Sequence, residues 1–154
     1  MPTDAMTAVD RALLDAALEQ ARKSAAEGGI PIGAAIGTAD GEVLASAHNR
    51  RVQDDDPTAH AEMSCLRATG RRRDWPDLVF ASTLSPCIMC TGALLLFRVG
   101  RLVIGESENF LGAEDLFEDR GNATLVHARD PDCIGLMRKF IEEQPDLWNE
   151  DIGL

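Results

Sequence analysis

Apolar residues recur at helical spacing in the first stretch of the chain. Val9, Leu13, Ala16, Ala17 and Ala21 share one face, and Leu14 and Leu18 widen it. Asp10, Arg11, Glu19, Arg22 and Lys23 fall mostly on the other face. The pattern predicts a helix over Thr7 to Ala26. Glu27-Gly28-Gly29 ends it, because glycine supplies a C-cap and a turn. The period then changes. Ile30 to Gly37 reads as a strand of small and apolar residues, which lets a neighbour approach the backbone closely. Asp40-Gly41 is a hairpin turn signal and Glu42 to Ala47 is the return strand, with His48-Asn49-Arg50 at its end.

Asp54 to Pro57 reads as a loop, Thr58 as an N-cap, and Ala59 to Thr69 as a helix with His60 in its first turn. A polar connection over Gly70 to Asp77 leads to a short strand, Leu78 to Thr83. Ser85-Pro86 pairs a capping residue with proline at the first helical position, so Cys87 to Phe97 reads as a helix ended by Arg98-Val99-Gly100. Arg101 to Gly105 is a buried strand and Ala123 to Ala128 the last one. The segment between them, Glu106 to Gly121, reads as irregular and carries Phe110 and Phe117. Asp130-Pro131 opens a helix running to about Gln144, with Ile134, Met137, Phe140 and Ile141 on one face. Asp146 to Leu154 is a short tail. Five strands alternating with helices predict a three-layer α/β/α domain with a mixed sheet. The first two strands form a hairpin, and the later ones pair in parallel through crossovers.

Length and charge narrow the function. With 154 residues, one domain spanning residues 1–154 is expected, large enough to bury a core without staples. Lys plus Arg total 15 against 26 Asp plus Glu, a net charge of -11. That field repels a phosphate backbone, so a nucleic-acid polymer is not the expected partner. Arg71-Arg72-Arg73 is the one basic run and reads as a solvated loop or helix end. The first ten residues lack the basic and apolar regions of a secretory signal. The longest apolar run, Ala93 to Phe97, is far too short to span a bilayer. A reducing cytoplasm is the expected compartment, where the four cysteines stay free to hold metal.

The chemistry concentrates between Thr58 and Cys90. His60 and Glu62 stand two residues apart, and Cys87 and Cys90 form a C-x-x-C. One imidazole and two thiolates suit Zn²⁺ and leave a fourth position open. Both motif halves fall at predicted helix N-termini, where partial positive charge favours thiolates. Bland readings exist for each part. The C-x-x-C alone could be a redox pair or half of a structural zinc site, which would need a fourth protein ligand. Cys65 and Cys133 read as buried small hydrophobes. His48 and His127 read as strand-end or surface residues. The combination of H-A-E with P-C-I-M-C points instead to a catalytic zinc site, with Glu62 beside the metal as a proton shuttle.

These motifs resemble the cytidine deaminase-like superfamily, and within it the fungal-type cytosine deaminases. The resemblance runs over nearly the whole chain. It includes Glu27 to Gly33, His48-Asn49, Thr83 to Cys87, Thr91-Gly92-Ala93, Gly105-Glu106 with Asn109-Phe110, and the terminal Glu150 to Gly153. It implies zinc held by His60, Cys87 and Cys90, one ion per subunit, with Glu62 as the catalytic proton shuttle. It implies that Asn49 and the backbone N–H of Ala61 hydrogen-bond the O2 edge of a pyrimidine. Asp151 would accept from the exocyclic amino group. Ile32, Phe110, Trp148 and Ile152 would wall the base, and Leu84 and Ser85 would face the reacting carbon. It further implies a homodimer, a small-molecule nucleobase substrate and a role in pyrimidine salvage. Two departures stand out: Ala61 where the fungal enzymes have glycine, and Ile88 where they have a polar residue. Cytosine is the expected substrate. Guanine, isocytosine, creatinine and triazine rings stay open as alternatives, as do a tRNA adenosine deaminase and a non-catalytic zinc scaffold.

Overall fold

The computed structural model describes residues 5–121 and 123–154. Five strands form one sheet in the order β2-β1-β3-β4-β5, with β1 Gly33–Gly37, β2 Val43–His48, β3 Val79–Ser82, β4 Arg101–Ile104 and β5 Thr124–His127. β1 pairs antiparallel with both β2 and β3, while β3, β4 and β5 run parallel. The mixed sheet predicted from the hairpin and the later crossovers is thus observed.

Alternation along each strand sends side chains to two faces. On one face Ala35, Val79, Ala81, Val103 and Val126 pack against Leu13, Leu14, Ala17 and Leu18 of α1 (Ala8–Ala26). On the other, Ile36, Phe80, Leu102, Ile104 and Leu125 pack with α3 (Ala61–Thr69) and α4 (Ile88–Phe97). α6 (Pro131–Glu143) contributes Cys133 to the first cluster and Met137 and Phe140 to the second. Burying Leu13 or Leu14 completely contributes about 1.5–3 kcal/mol each.

Gly33 shows why the first strand is built of small residues. A Cβ there would lie 1.8 Å from the carbonyl oxygen of Ala17, so only glycine lets α1 sit this close to β1. The strand itself is shorter than Ile30 to Gly37. Pro31 has no N–H to donate, and Ile32 N bonds back to Ile30 O at 2.8 Å, so pairing starts at Gly33.

Other boundaries differ for local reasons. Thr58 does not cap α3: its hydroxyl and N–H both turn to Asp56, and His60 takes the N-cap position in an extended conformation. Likewise Cys87, not Ser85, caps α4, because Ser85 Oγ accepts from Gly112 N and the helix begins only at Ile88. Part of the expected loop near Asp54 is a single turn, α2 (Arg51–Asp54). The irregular segment contains α5 (Asp115–Arg120), which buries Phe117, and the tail forms α7 (Pro145–Asp151). Asp10 was expected on the solvent face. It is fully buried, bonded by Arg101 Nε and Nη2 at 2.8 and 2.7 Å while it closes a capping box with Thr7.

Candidate active site

Both metal-binding motifs meet at the C-terminal end of β3, on the α3 and α4 side of the sheet. His60 and Cys87 occupy the N-cap positions of two neighbouring helices, and Cys90 lies one turn into the second. Their ligand atoms all lie within 4.8 Å of one another, and His60 Nδ1 is 3.5 Å from Cys87 Sγ. Ligands around a tetrahedral zinc at ~2.0–2.3 Å stand roughly 3.5–4 Å apart, so the donor set fits this ion. Cys65 and Cys133 stay outside the group and are buried in the core, as expected. Burial pushes the Cys65 thiol up to about 12, which makes it inert. Among the described residues the cluster offers three protein ligands, which leaves a coordination position open.

The electrostatics of the cluster favour a cation between these groups. Cys87 is drawn down to about 4 by the Cys90 S–H donating to it and, against the cost of burial, by His60. The Cys90 thiol is pushed up by that same bond and by burial. Burial opposes charge on His60, yet Asp151 and Cys87 together raise it to about 10. The imidazole therefore turns Nδ1 toward the thiols and Nε2 toward Asp151 Oδ1, at 3.2 Å. A second carboxylate contact of this kind fixes the tautomer that a metal ligand needs.

Glu62 is in the first turn of α3 and is 4 % exposed. It is not one of the metal-ligating group. Burial raises its pKa, opposed by His60 and by a 2.7 Å bond from the Ser82 hydroxyl. A carboxyl group whose pKa is raised, next to the metal-ligating cluster, is suited to both accept and release a proton.

These residues open onto a cavity of about 470 Å³. Ile32, Leu84, Ser85, Ile88 and Met89 are among the residues that line it. Phe110 and Trp148 meet edge to face across it, ring centroids 5.8 Å apart, and Ile152 lies beside them. Ala61 is wholly buried and adds no side chain to the wall. As the first residue of α3, it has an N–H without an intrahelical acceptor.

Two polar atoms in this cavity are buried without a hydrogen-bond partner: Asn49 Nδ2 and Asp151 Oδ1. The Asn49 carbonyl oxygen is already taken by Arg51 N at 3.0 Å, and its amide nitrogen is the end left without a protein partner. Asp151 Oδ1 lies 3.1 Å from Arg51 Nε and 3.2 Å from His60 Nε2, charge contacts without hydrogen-bond alignment. An unmet donor and an unmet acceptor thus belong to residues that line the same cavity as His60 and Cys87.

Residues 7–106 match the family described as the cytidine and deoxycytidylate deaminase zinc-binding region. The chain belongs to that family. It is 49% identical over 150 residues to a cytosine deaminase of Candida albicans, covering 96% of this chain and 99% of the relative. It is 32% identical over 138 residues to a tRNA-specific adenosine deaminase of Streptococcus pyogenes, covering 82% and 86%. A structure from work on tRNA:A34 deaminases superposes with a TM-score of 0.72 at 28% identity, covering 80% of this chain and 97% of that one. A guanine deaminase of Nitrosomonas europaea shares the fold, with a TM-score of 0.67 at 24% identity, covering 90% and 87%. The protein is therefore a zinc deaminase, a hydrolase acting on C–N bonds.

The motif reading missed two side chains of this deaminase site. Ser82 touches the shuttle carboxylate, and Arg51 touches Asn49 and Asp151. A polar residue ending an apolar strand was the available signal for Ser82. Arg51 carried none, since a lone arginine after a strand reads as surface. No helix among the described residues is long and apolar enough to cross a membrane.

Proposed function

We propose that this single-domain protein converts free cytosine and water to uracil and ammonia. The observation that carries this is the pair of unmet polar atoms, Asn49 Nδ2 and Asp151 Oδ1, on residues that line the cavity beside the metal cluster. A pyrimidine with a ring carbonyl and an exocyclic amine supplies the acceptor and the donor that these atoms lack. Leaving them unmatched costs ~1–3 kcal/mol each, so a base with that edge is favoured over one without it. The 49% identity to a cytosine deaminase supports the same substrate.

His60, Cys87 and Cys90 would hold the zinc, which when bound supplies a water-derived nucleophile at neutral pH. Asn49 donates to the ring carbonyl, and Asp151 accepts from the amine and sets the ring's orientation. Phe110 and Trp148 cover the ring, and Ile32, Leu84 and Ile152 complete its apolar surroundings. Glu62 takes a proton from the attacking water and gives it to the ring nitrogen next to the amino-bearing carbon. It then delivers the second proton to the amine as the C–N bond breaks. A C–O bond has replaced a C–N bond, and both water protons are accounted for.

The substrate on this reading is a free base and not a polymer. The net charge of -11 and the cover given by α7 over the cavity support that. A homodimer is supported by the apolar residues left in solvent on α4 and beside the cavity: Ile88, Leu96 and Leu111 are 72%, 73% and 67% exposed. Leu96→Asp is expected to give a monomer in size-exclusion chromatography. A cytoplasmic location suits free thiols at a metal site.

The test is ammonia release from cytosine, guanine, isocytosine, creatinine, a triazine and a stem-loop RNA. Cytosine is expected to be the best substrate, and Glu62→Ala to abolish turnover with zinc retained. Turnover of the RNA but not of any free base would refute the reading, as would normal turnover in Glu62→Ala.

A further inference from the structure

Asn49 and Asp151 come from opposite ends of the chain, yet one residue contacts both. Arg51 opens α2, two residues after Asn49. Its backbone N–H donates to Asn49 Oδ1 at 3.0 Å and so fixes the Asn49 amide with its N–H groups unpaired. Its guanidinium reaches the C-terminal helix. Nε is 3.1 Å from Asp151 Oδ1, and Nη2 is 3.5 Å from Glu150 Oε1. Nε also donates to the carbonyl oxygen of Pro57 at 3.2 Å, which anchors the side chain to the loop before α3. Only 10% of the Arg51 side chain and 3% of the Asp151 side chain are exposed.

This is more than a surface ion pair. An exposed pair of this kind contributes little, whereas a buried carboxylate without a cation is strongly disfavoured. Asp151 belongs to a seven-residue helix, too short to hold its own position. Arg51 is covalently close to Asn49 and is braced by Pro57, so its position is set by the body of the fold. His60 Nε2 makes the other close contact to Asp151 Oδ1, at 3.2 Å. Oδ1 lies between these two groups without an aligned hydrogen bond to either, so it stays free to accept from a ligand.

We propose that Arg51 is a positioning residue that sets substrate selectivity by holding Asp151 against the base. It acts through Asp151, and the proposal rests on the reading of Asp151 as acceptor of the exocyclic amine. Cytosine has that amine and uracil does not. The contact that Arg51 supports is therefore present for one ligand and absent for the other. Loss of Arg51 should reduce the preference for cytosine over uracil, a change that general loosening of the fold would not produce.

The experiment is calorimetric binding of cytosine and of uracil to zinc-loaded protein, in a Glu62→Ala background that prevents turnover. Arg51→Met keeps the length of the side chain and removes its charge. It is expected to weaken cytosine binding on the order of 10–100-fold and uracil binding much less. Arg51→Lys restores the charge without the planar fork and is expected to recover part of the loss. Added to Asp151→Asn, Arg51→Met should cost little more than Asp151→Asn alone, because the two act as a unit. Equal weakening of both ligands, no weakening, or losses that simply add overturns the role of Arg51. If Asp151→Asn leaves cytosine affinity unchanged, the reading of Asp151 itself fails. Should Arg51→Met not fold, Arg51→Lys decides: a loss confined to cytosine supports the proposal, and an equal loss for uracil overturns it.

Discussion

The Ser82 hydroxyl lies 2.7 Å from Glu62 Oε1 and 2.9 Å from the carbonyl oxygen of Leu84. A hydroxyl has one proton, so it donates to one of these acceptors at a time. With Glu62 ionised, Ser82 donates to the carboxylate. With Glu62 protonated on Oε2, Oε1 is still a carbonyl oxygen and still accepts from Ser82. Ser82 thus offers a hydrogen bond in both states of the shuttle and pins Oε1, leaving Oε2 for the chemistry. Ser82→Ala is expected to lower kcat by roughly 10–100-fold, the value of a hydrogen bond to a charged group. Steady-state kinetics check this, with zinc content and KM expected to stay near wild type.

Glu106 is expected to hold the loop that carries Phe110. It is 2 % exposed, and its carboxylate accepts from Glu108 N, Asn109 N and Asn109 Nδ2 at 2.8, 3.0 and 2.9 Å. Asn109 Nδ2 also donates to Ile134 O of α6, which ties the loop to that helix. Glu106→Ala leaves the backbone N–H groups of Glu108 and Asn109 without their carboxylate acceptor, at a cost of about 1–3 kcal/mol. Denaturant unfolding is expected to show that loss, and KM is expected to rise because Phe110 no longer faces Trp148.

Acid stability is expected to depend on Asp10. Burial raises its pKa, but the bonds from Arg101 and from Thr7 outweigh this and hold it below the usual carboxylate range. A carboxylate depressed in the folded state adds stability above its unfolded pKa of ~3.9, and that stability is lost as pH falls through the folded value. Asp10→Asn is expected to be about 2 kcal/mol less stable than wild type at pH 7. The gap should close progressively below about pH 4. Thermal melts of both proteins across pH 2–7 test the sign.

Removing zinc is expected to destabilise the fold as well as stop turnover. A metal that binds only the folded protein adds stability in proportion to RT ln(1 + [L]/Kd). Its ligands sit on the N-caps of α3 and α4, so the ion joins two helices. Dialysis against a chelator should lower Tm, and stoichiometric zinc should restore it. Cys90→Ser is expected to show the low Tm without responding to the chelator.

Much of this protein could be read along the chain, because its signals are local. The period of Leu13, Ala17 and Ala21 marks α1, and the apolar triplet Leu102-Val103-Ile104 marks β4. His60, Glu62, Cys87 and Cys90 announce zinc and a shuttle because helix starts impose a fixed spacing on them. Boundaries were less legible. Ser85 and Thr58 have capping side chains, but Ser85 Oγ accepts from Gly112 N and the Thr58 hydroxyl donates to Asp56, so His60 and Cys87 became the caps. Helices α5 and α7 are too short for periodicity to reveal.

Only the tertiary structure decided which groups meet. Asp10 is buried because Arg101, far away in sequence, neutralises it. Ser82 matters because β3 ends beside α3, and Arg51 because α7 folds back over α2. The physical reason is the same in each case. A residue's identity and its neighbours in the chain determine local backbone preference and chemical type. Burial and charge pairing depend on atoms brought close by the sheet order, which no local pattern encodes. The sequence by itself therefore determined the metal and the class of reaction, while the fold decided which side chains hold the substrate-facing pair, Asn49 and Asp151, in place.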